Sequence, residues 1–182
     1  MPGFTESNIT LNFPDANFFR FSSCGGYTAL SGNHFKEMDA CWFDAGGNLY
    51  WLIELKDFSS ATLDTLQNVE ARAWNILKKA VDSLCMFLSS KHSYSYAANL
   101  NPCFPVPLPN NTTQFKFVTI VHCDAAQRAD VQLINNSFRG KFKPYADLFD
   151  INHYAVIEHS SAVSIIPNNM VRYNLHNKVK TY

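Results

Sequence analysis

Four ionisable residues bracket one apolar stretch: Glu37 and Asp39 stand at its start, Glu54 and Lys56 at its end. Between them runs A-C-W-F-D-A-G-G-N-L-Y-W-L-I, most of which is suited to burial. Carboxylate oxygens are the ligands that hard divalent ions prefer. An amine beside them can stabilise negative charge that develops during a reaction. What these residue types offer, provided that the fold brings them together, is a place to hold a divalent cation.

The elements that would do so are two strands, about 37–44 and 48–57, separated by Ala45-Gly46-Gly47. A two-residue turn at Gly46-Gly47 uses glycine's tolerance of positive φ. It sets Asp39 opposite Glu54, Glu37 opposite Lys56, Cys41 opposite Leu52 and Phe43 opposite Tyr50. Directly opposed side chains have Cβ atoms about 4.5–5.5 Å apart, and like charges placed so repel. A cation between Asp39 and Glu54 removes that conflict. Lys56 helps, and a divalent ion does more. The plainer reading is a cross-strand Glu37–Lys56 ion pair at a solvated strand end, because short motifs often arise by chance. The apolar run Leu49–Ile53 ahead of Glu54 favours chemistry, since it reads as a central, doubly covered strand. On the other face of the hairpin, Met38, Ala40 and Trp42 meet Leu55, Ile53 and Trp51. That face is wholly apolar and is expected to pack against a long helix.

The helix is predicted to open at Ser59 or Ser60 and to reach about Ser89. Leu63, Leu66, Ala73, Trp74, Leu77, Ala80, Val81, Leu84, Cys85 and Leu88 recur at helical spacing. Arg72, Asn75, Lys78, Lys79 and Asp82 fill the other, solvated face. Phe18–Ser22 reads as a first strand ended by Cys24-Gly25-Gly26, and residues 27–36 read as loop. Prolines at 102, 105, 107 and 109 mark an extended connector, about 101–113, within one domain spanning 1–182. Gln114–Cys123 is predicted as a strand. Asp124 and Gln127 have the spacing of a capping box opening a second helix that closes at Gly140. His153–Glu158 is predicted as the last strand. The class is α/β, a mixed central sheet flanked by helices.

In this setting Asp39, a hairpin of about fifteen residues, and Glu54-x-Lys56 on an apolar strand followed by a helix resemble the motif of the PD-(D/E)xK nuclease superfamily. The likeness covers mainly residues 18–123, and the motif itself occupies 39–56. It implies a restriction-endonuclease-like fold, with Asp39 and Glu54 holding Mg²⁺ or Mn²⁺ and Lys56 assisting the attacking water. The implied reaction is hydrolysis of a phosphodiester bond, in DNA more than in RNA. The sequence departs from the pattern at Met38, where the name-giving proline would stand. An acid on a first helix is also common in the superfamily; here only Glu6 stands in the amino-terminal segment, and Glu37 is the residue that would serve as an extra metal ligand. Gln67 is a substrate-contact candidate, because some members carry a glutamine on that helix. A non-catalytic interaction subunit keeping the same fold is the competing expectation.

The remaining signals are weaker. Arg139, Lys141 and Lys143, interleaved with Phe138 and Phe142, form a basic cluster suited to a nucleic-acid backbone, or to complementing a helix C-terminus. His34, His122, His153 and His159 show no metal-binding spacing. Fifteen basic and fifteen acidic residues balance, which removes the strong basic excess of many nucleic-acid binders. A small neutral nuclease is expected to need a homodimer or a partner protein for target recognition. No membrane span and no leader sequence are evident, so a cytoplasmic protein is expected. Cysteines at 24, 41, 85, 103 and 123 accordingly read as reduced and mostly buried.

Overall fold

The computed structural model describes residues 3–59, 66–104, 109–166 and 171–173. Strands β1 (Gly3–Glu6) and β2 (Ile9–Asn12) begin a small antiparallel sheet, closed by β8 (Val171–Tyr173) in the order β1-β2-β8. The main sheet has five strands: β3 (Phe18–Phe19), β4 (Ala40–Asp44), β5 (Leu49–Asp57), β6 (Gln114–His122) and β7 (His153–Glu158). They lie in chain order across the sheet. The pairs β3–β4 and β4–β5 are antiparallel, whereas β5–β6 and β6–β7 are parallel. The sheet is therefore mixed, as expected. Parallel neighbours require crossovers, and helices α2 (Leu66–Lys91) and α4 (Arg128–Leu148) provide them.

The hairpin register is the one the sequence predicts: Cys41 pairs with Leu52, Trp42 with Trp51 and Phe43 with Tyr50. Its loop is longer than expected. Strand pairing stops at Asp44 and Leu49, and the Asp44 carboxylate accepts hydrogen bonds from the Gly46 and Gly47 amides at 3.1 and 3.3 Å. The positive φ falls on Asn48, at 46°, rather than on either glycine. Asparagine tolerates this region, so the aspartate-braced loop leaves the register unchanged.

The two faces of the hairpin pack the opposite way from the expectation. Ala40, Trp42, Trp51, Ile53 and Leu55 join Ile9, Leu11, Phe13, Ala162 and Ile166 in a core beneath the small sheet and helix α5 (His159–Ile165). The long helix covers the other face, where Cys41, Tyr50, Leu52, Phe117 and Val121 meet Ala73, Ile76, Leu77, Ala80, Leu84 and Phe87. Both crossover helices lie on that side, so the face with charges at its open end is the one buried by helix. The amino-terminal segment, for which no sheet was anticipated, covers the wholly apolar face instead.

Other elements depart from expectation for local reasons. Helix α1 (Gly25–Ser31) stands where a loop is predicted. Its glycines allow close approach rather than breaking the helix: a Cβ on Gly26 would lie 2.0 Å from the Asn99 carbonyl oxygen. The short helix α3 (Ala97–Leu100) supplies that carbonyl's neighbourhood, and Tyr96 donates to the Gly26 carbonyl at 3.0 Å. The Asp124–Gln127 capping box is present, but α4 continues through Gly140 and Pro144. Val131, Ile134, Phe138, Phe142 and Ala146 keep one buried stripe across that point. Tertiary packing outweighs the two weak helix formers, both of which face solvent. Trp74, assigned to the buried face of α2, is 56% exposed. Cys24 and Cys103 form a disulfide with a Cα–Cα distance of 5.4 Å, so the expectation of five reduced thiols is wrong. No helix among the described residues is long and apolar enough to cross a membrane.

Candidate functional site

Asp39 ends the irregular approach to β4, and Glu54 lies six positions along β5, so the register brings both carboxylates to one point under α2. Asp39 is 6% exposed and Glu54 is fully buried. Asp39 Oδ2 accepts the Leu55 amide at 2.8 Å, which completes the ladder where β4 pairing stops. Arg20 Nε donates to the Asp39 carbonyl at 2.8 Å and its guanidinium pairs with Glu6 at 3.0 Å. Ser83, buried on α2, accepts the Met38 amide at 2.9 Å. The backbone around the acid is thus fixed from three directions.

The carboxylates converge on an amine that the sequence reading assigned to solvent. Lys79 of α2 places Nζ 3.0 Å from Asp39 Oδ1 and 2.6 Å from Glu54 Oε1. Lys56 forms a second ion pair with Glu54 Oε1. Lys79 was missed because the apolar face of the hairpin was docked on the helix; with the faces exchanged, a lysine at the margin of the helix stripe reaches the acids. The signal available in the sequence was charge: Asp39 and Glu54, opposed inside a core, require a nearby cation.

Two of the buried oxygens that lack hydrogen-bond partners among the described residues lie at this cluster. Glu54 Oε2 and Thr119 Oγ1 are both buried and unsatisfied. Thr119 sits beside Glu54 in the parallel β5–β6 register, so these oxygens belong to one polar spot in an otherwise apolar interior. Burial, reinforced by the charge of Asp39, raises the Glu54 pKa to about 7, against the opposing pull of Lys56 and Lys79. Burial alone would lower the Lys79 pKa, but the charges of Glu54 and Asp39 more than reverse it and hold this amine above the ordinary lysine value.

The other predicted residues are placed less favourably. Glu37 is half-buried and accepts a hydrogen bond from Tyr27 Oη. Burial raises its pKa, while Lys79 and Arg20 act electrostatically in the other direction. Among the described residues no group of three or more His, Cys, Asp or Glu side chains is disposed to hold a metal. Gln67 belongs to α2, but its side chain lies outside the described residues. The basic cluster is divided by its helix, since residues two apart lie roughly 200° apart around the axis. Arg139 stacks on Tyr154 at 4.7 Å and donates to its carbonyl at 2.9 Å. Lys141 pairs with Glu70 at 2.7 Å, and Lys143 pairs with Asp147 at 2.8 Å.

At the carboxyl ends of the parallel strands, His122 Nδ1 lies 3.1 Å from Asp57 Oδ1, which also accepts Ser59 Oγ at 2.6 Å. Burial would raise the Asp57 pKa, but the hydrogen bonds from Ser59 and the His122 contact lower it. A cleft of about 580 Å³ lies between Phe18, Arg20, Gly25, Asn99 and Cys103. None of Asp39, Glu54 and Lys56 lines it; Arg20 does, and it also donates to the Asp39 carbonyl. Neither protein-family models, nor curated proteins, nor solved structures show a match to this chain.

Proposed function

We propose that the chain is a metal-dependent phosphodiesterase with a restriction-endonuclease-like fold, acting on DNA in preference to RNA. One observation carries the reading: two buried carboxylates, one immediately before β4 and one on β5, converge on a single cation position, with a second lysine alongside. Ordinary core packing does not call for such a set, because burying charge is expensive unless every partner is in place. The sequence of antiparallel hairpin, helix and parallel strand around the acids agrees with the resemblance drawn from residues 39–56.

The donor set also suits a divalent ion. An ammonium already bridges one oxygen of each carboxylate, and Glu54 Oε2 and Thr119 Oγ1 are oxygens lacking hydrogen-bond partners at the same spot. Asp39 and Glu54 are the residues that would hold Mg²⁺ or Mn²⁺. When bound, such an ion makes its water a stronger nucleophile at neutral pH and neutralises phosphoryl oxygens. Asp39 is oriented for this by the Leu55 amide. Lys56, with its side chain 31% exposed, stands at the edge of the cluster, where its amine can orient a water and offset charge growing on a phosphate. The neutral chain supplies little long-range attraction for a polyanion, so target recognition rests on a second copy or on a partner protein.

A non-catalytic interaction subunit has one observation in its favour: Lys56 and Lys79 already balance the charges of Asp39 and Glu54. A cleavage assay separates the two readings. Plasmid, linear DNA and RNA are incubated with Mg²⁺ or Mn²⁺ and either wild type or Lys56→Ala. The nuclease reading expects metal-dependent cleavage, fastest on DNA and reduced on the order of 10²-fold in the variant. Equal cleavage by both proteins assigns the activity to a contaminant, and no cleavage by either favours the interaction subunit.

A further inference from the structure

The unanticipated residue at the site is Lys79, and its position constrains how any metal gets in. Asp39 has both oxygens engaged, Oδ2 by the Leu55 amide and Oδ1 by Lys79. Glu54 Oε1 carries both lysines. The one point that both carboxylates already reach is therefore the Lys79 ammonium. We infer that Lys79 is a resident counter-ion occupying the divalent-cation position, and that metal binding requires its side chain to swing out of the cluster.

Charge supports this. With both acids ionised, Asp39 and Glu54 sum to two negative charges, and Lys56 and Lys79 to two positive ones. A divalent ion entering with both lysines in place would leave the pocket with an excess of two positive charges, away from bulk water. Its entry with Lys79 displaced leaves a smaller excess, and Lys56 stays beside the phosphate position. Lys79 is the residue that has to leave, because its amine is the one held between both acids, whereas Lys56 pairs with Glu54; its flexible four-carbon stem permits the movement. The device keeps two buried carboxylates neutralised before metal arrives, and it weakens metal affinity by the strength of the pair that must break.

The inference rests on the nuclease reading only for the identity of the cation, and its test does not depend on cleavage. Mn²⁺ binding is followed by electron paramagnetic resonance for wild type, Lys79→Met and Asp39→Asn. Amine acetylation at Lys79 in the wild type is followed by mass spectrometry with and without Mn²⁺, using Lys78 as the internal reference. The expected result is binding at least tenfold tighter in Lys79→Met, lost in Asp39→Asn, with Lys79 acetylation rising severalfold when Mn²⁺ is added. The labelling arm uses the wild-type protein, so it decides the matter even where Lys79→Met fails to fold. Mn²⁺ binding that depends on Asp39 but leaves Lys79 labelling unchanged overturns the counter-ion role and leaves the metal site standing. Absence of Mn²⁺ binding in both wild type and Lys79→Met overturns the inference and the metal-dependent reading together.

Discussion

Glu54 is the residue on which stability and chemistry meet. Its carboxyl is fully buried, and burial is the main reason its pKa rises from 4.5 to about 7. A raised carboxyl pKa means that the folded protein keeps a proton which the unfolded chain has already released between about pH 4.5 and 7. This group therefore contributes most to stability below pH 4.5. The contribution falls as pH climbs through that window and is level above it. The total change is on the order of 3 kcal/mol, from the conversion of pKa units to free energy. In the metal-free protein, denaturant midpoints measured from pH 4.5 to pH 8 should decline for wild type. Glu54→Gln should flatten that decline, because an amide has no proton to lose. An unchanged slope in Glu54→Gln would place the titrating group elsewhere. Asp39, Glu54 and Lys56 were legible from sequence because opposed acids in an apolar hairpin are chemically conspicuous. Lys79 and Thr119 were not. A lysine on an amphipathic helix ordinarily faces water, and a threonine in a strand fits a core without comment.

At the scale of elements, what the sequence showed depended on whether the local pattern agreed with tertiary packing. The register of β4 and β5 and the extents of β6 and β7 follow from apolar runs bounded by turn residues. The choice of which hairpin face meets α2 does not follow, because both faces are largely apolar near the turn. A small sheet built from Ile9, Leu11 and Phe13 competes for one of them. Glycines misled for a related reason: Gly25-Gly26 and Gly140 look like breakers, yet each sits in or beside a helix. They can be told apart by experiment. A Cβ at Gly140 meets nothing within 4 Å, and no glycine among the described residues has positive φ. Gly140→Ala should therefore stabilise the protein by about 0.5–1 kcal/mol, the usual difference in a helix interior. At Gly26 the added Cβ would lie 2.0 Å from the Asn99 carbonyl oxygen and 2.6 Å from its carbon. Gly26→Ala must push α1 away from α3 and should destabilise by about 1–3 kcal/mol, as overpacking does. Urea titrations of the two variants beside wild type read out both signs. A loss of stability in Gly140→Ala would show that Pro144, whose missing amide frees the Gly140 carbonyl, needs glycine at that point.

For the molecule as a whole, the covalent link between Cys24 and Cys103 has the longest reach. It ties the start of α1 to the turn after α3 across a separation of 79 residues, enclosing the hairpin, the acid cluster and all of α2. Read from spacing alone the cysteines looked like unrelated thiols, since pairing over such a distance has no local signature. The close approach of Gly26 to Asn99, and the Tyr96 hydrogen bond, bring the two sulfurs together through packing that a linear pattern does not display. Closing a loop of this size removes many conformations from the unfolded chain and stabilises the fold by typically 2–4 kcal/mol. Reduction should therefore lower the urea midpoint by the equivalent of that energy. The double variant Cys24→Ser/Cys103→Ser should start from the lowered midpoint and show no further response to reductant. The remaining thiols serve as the internal control: Cys41 is buried, Cys85 is exposed and Cys123 is intermediate. Non-reducing thiol titration of the unfolded wild type should therefore find three reactive groups, rising to five after reduction, as the five cysteines of the sequence require. Five reactive groups without reductant would remove the cross-link. The docking of α1 on α3 would then rest on hydrogen bonds and packing alone.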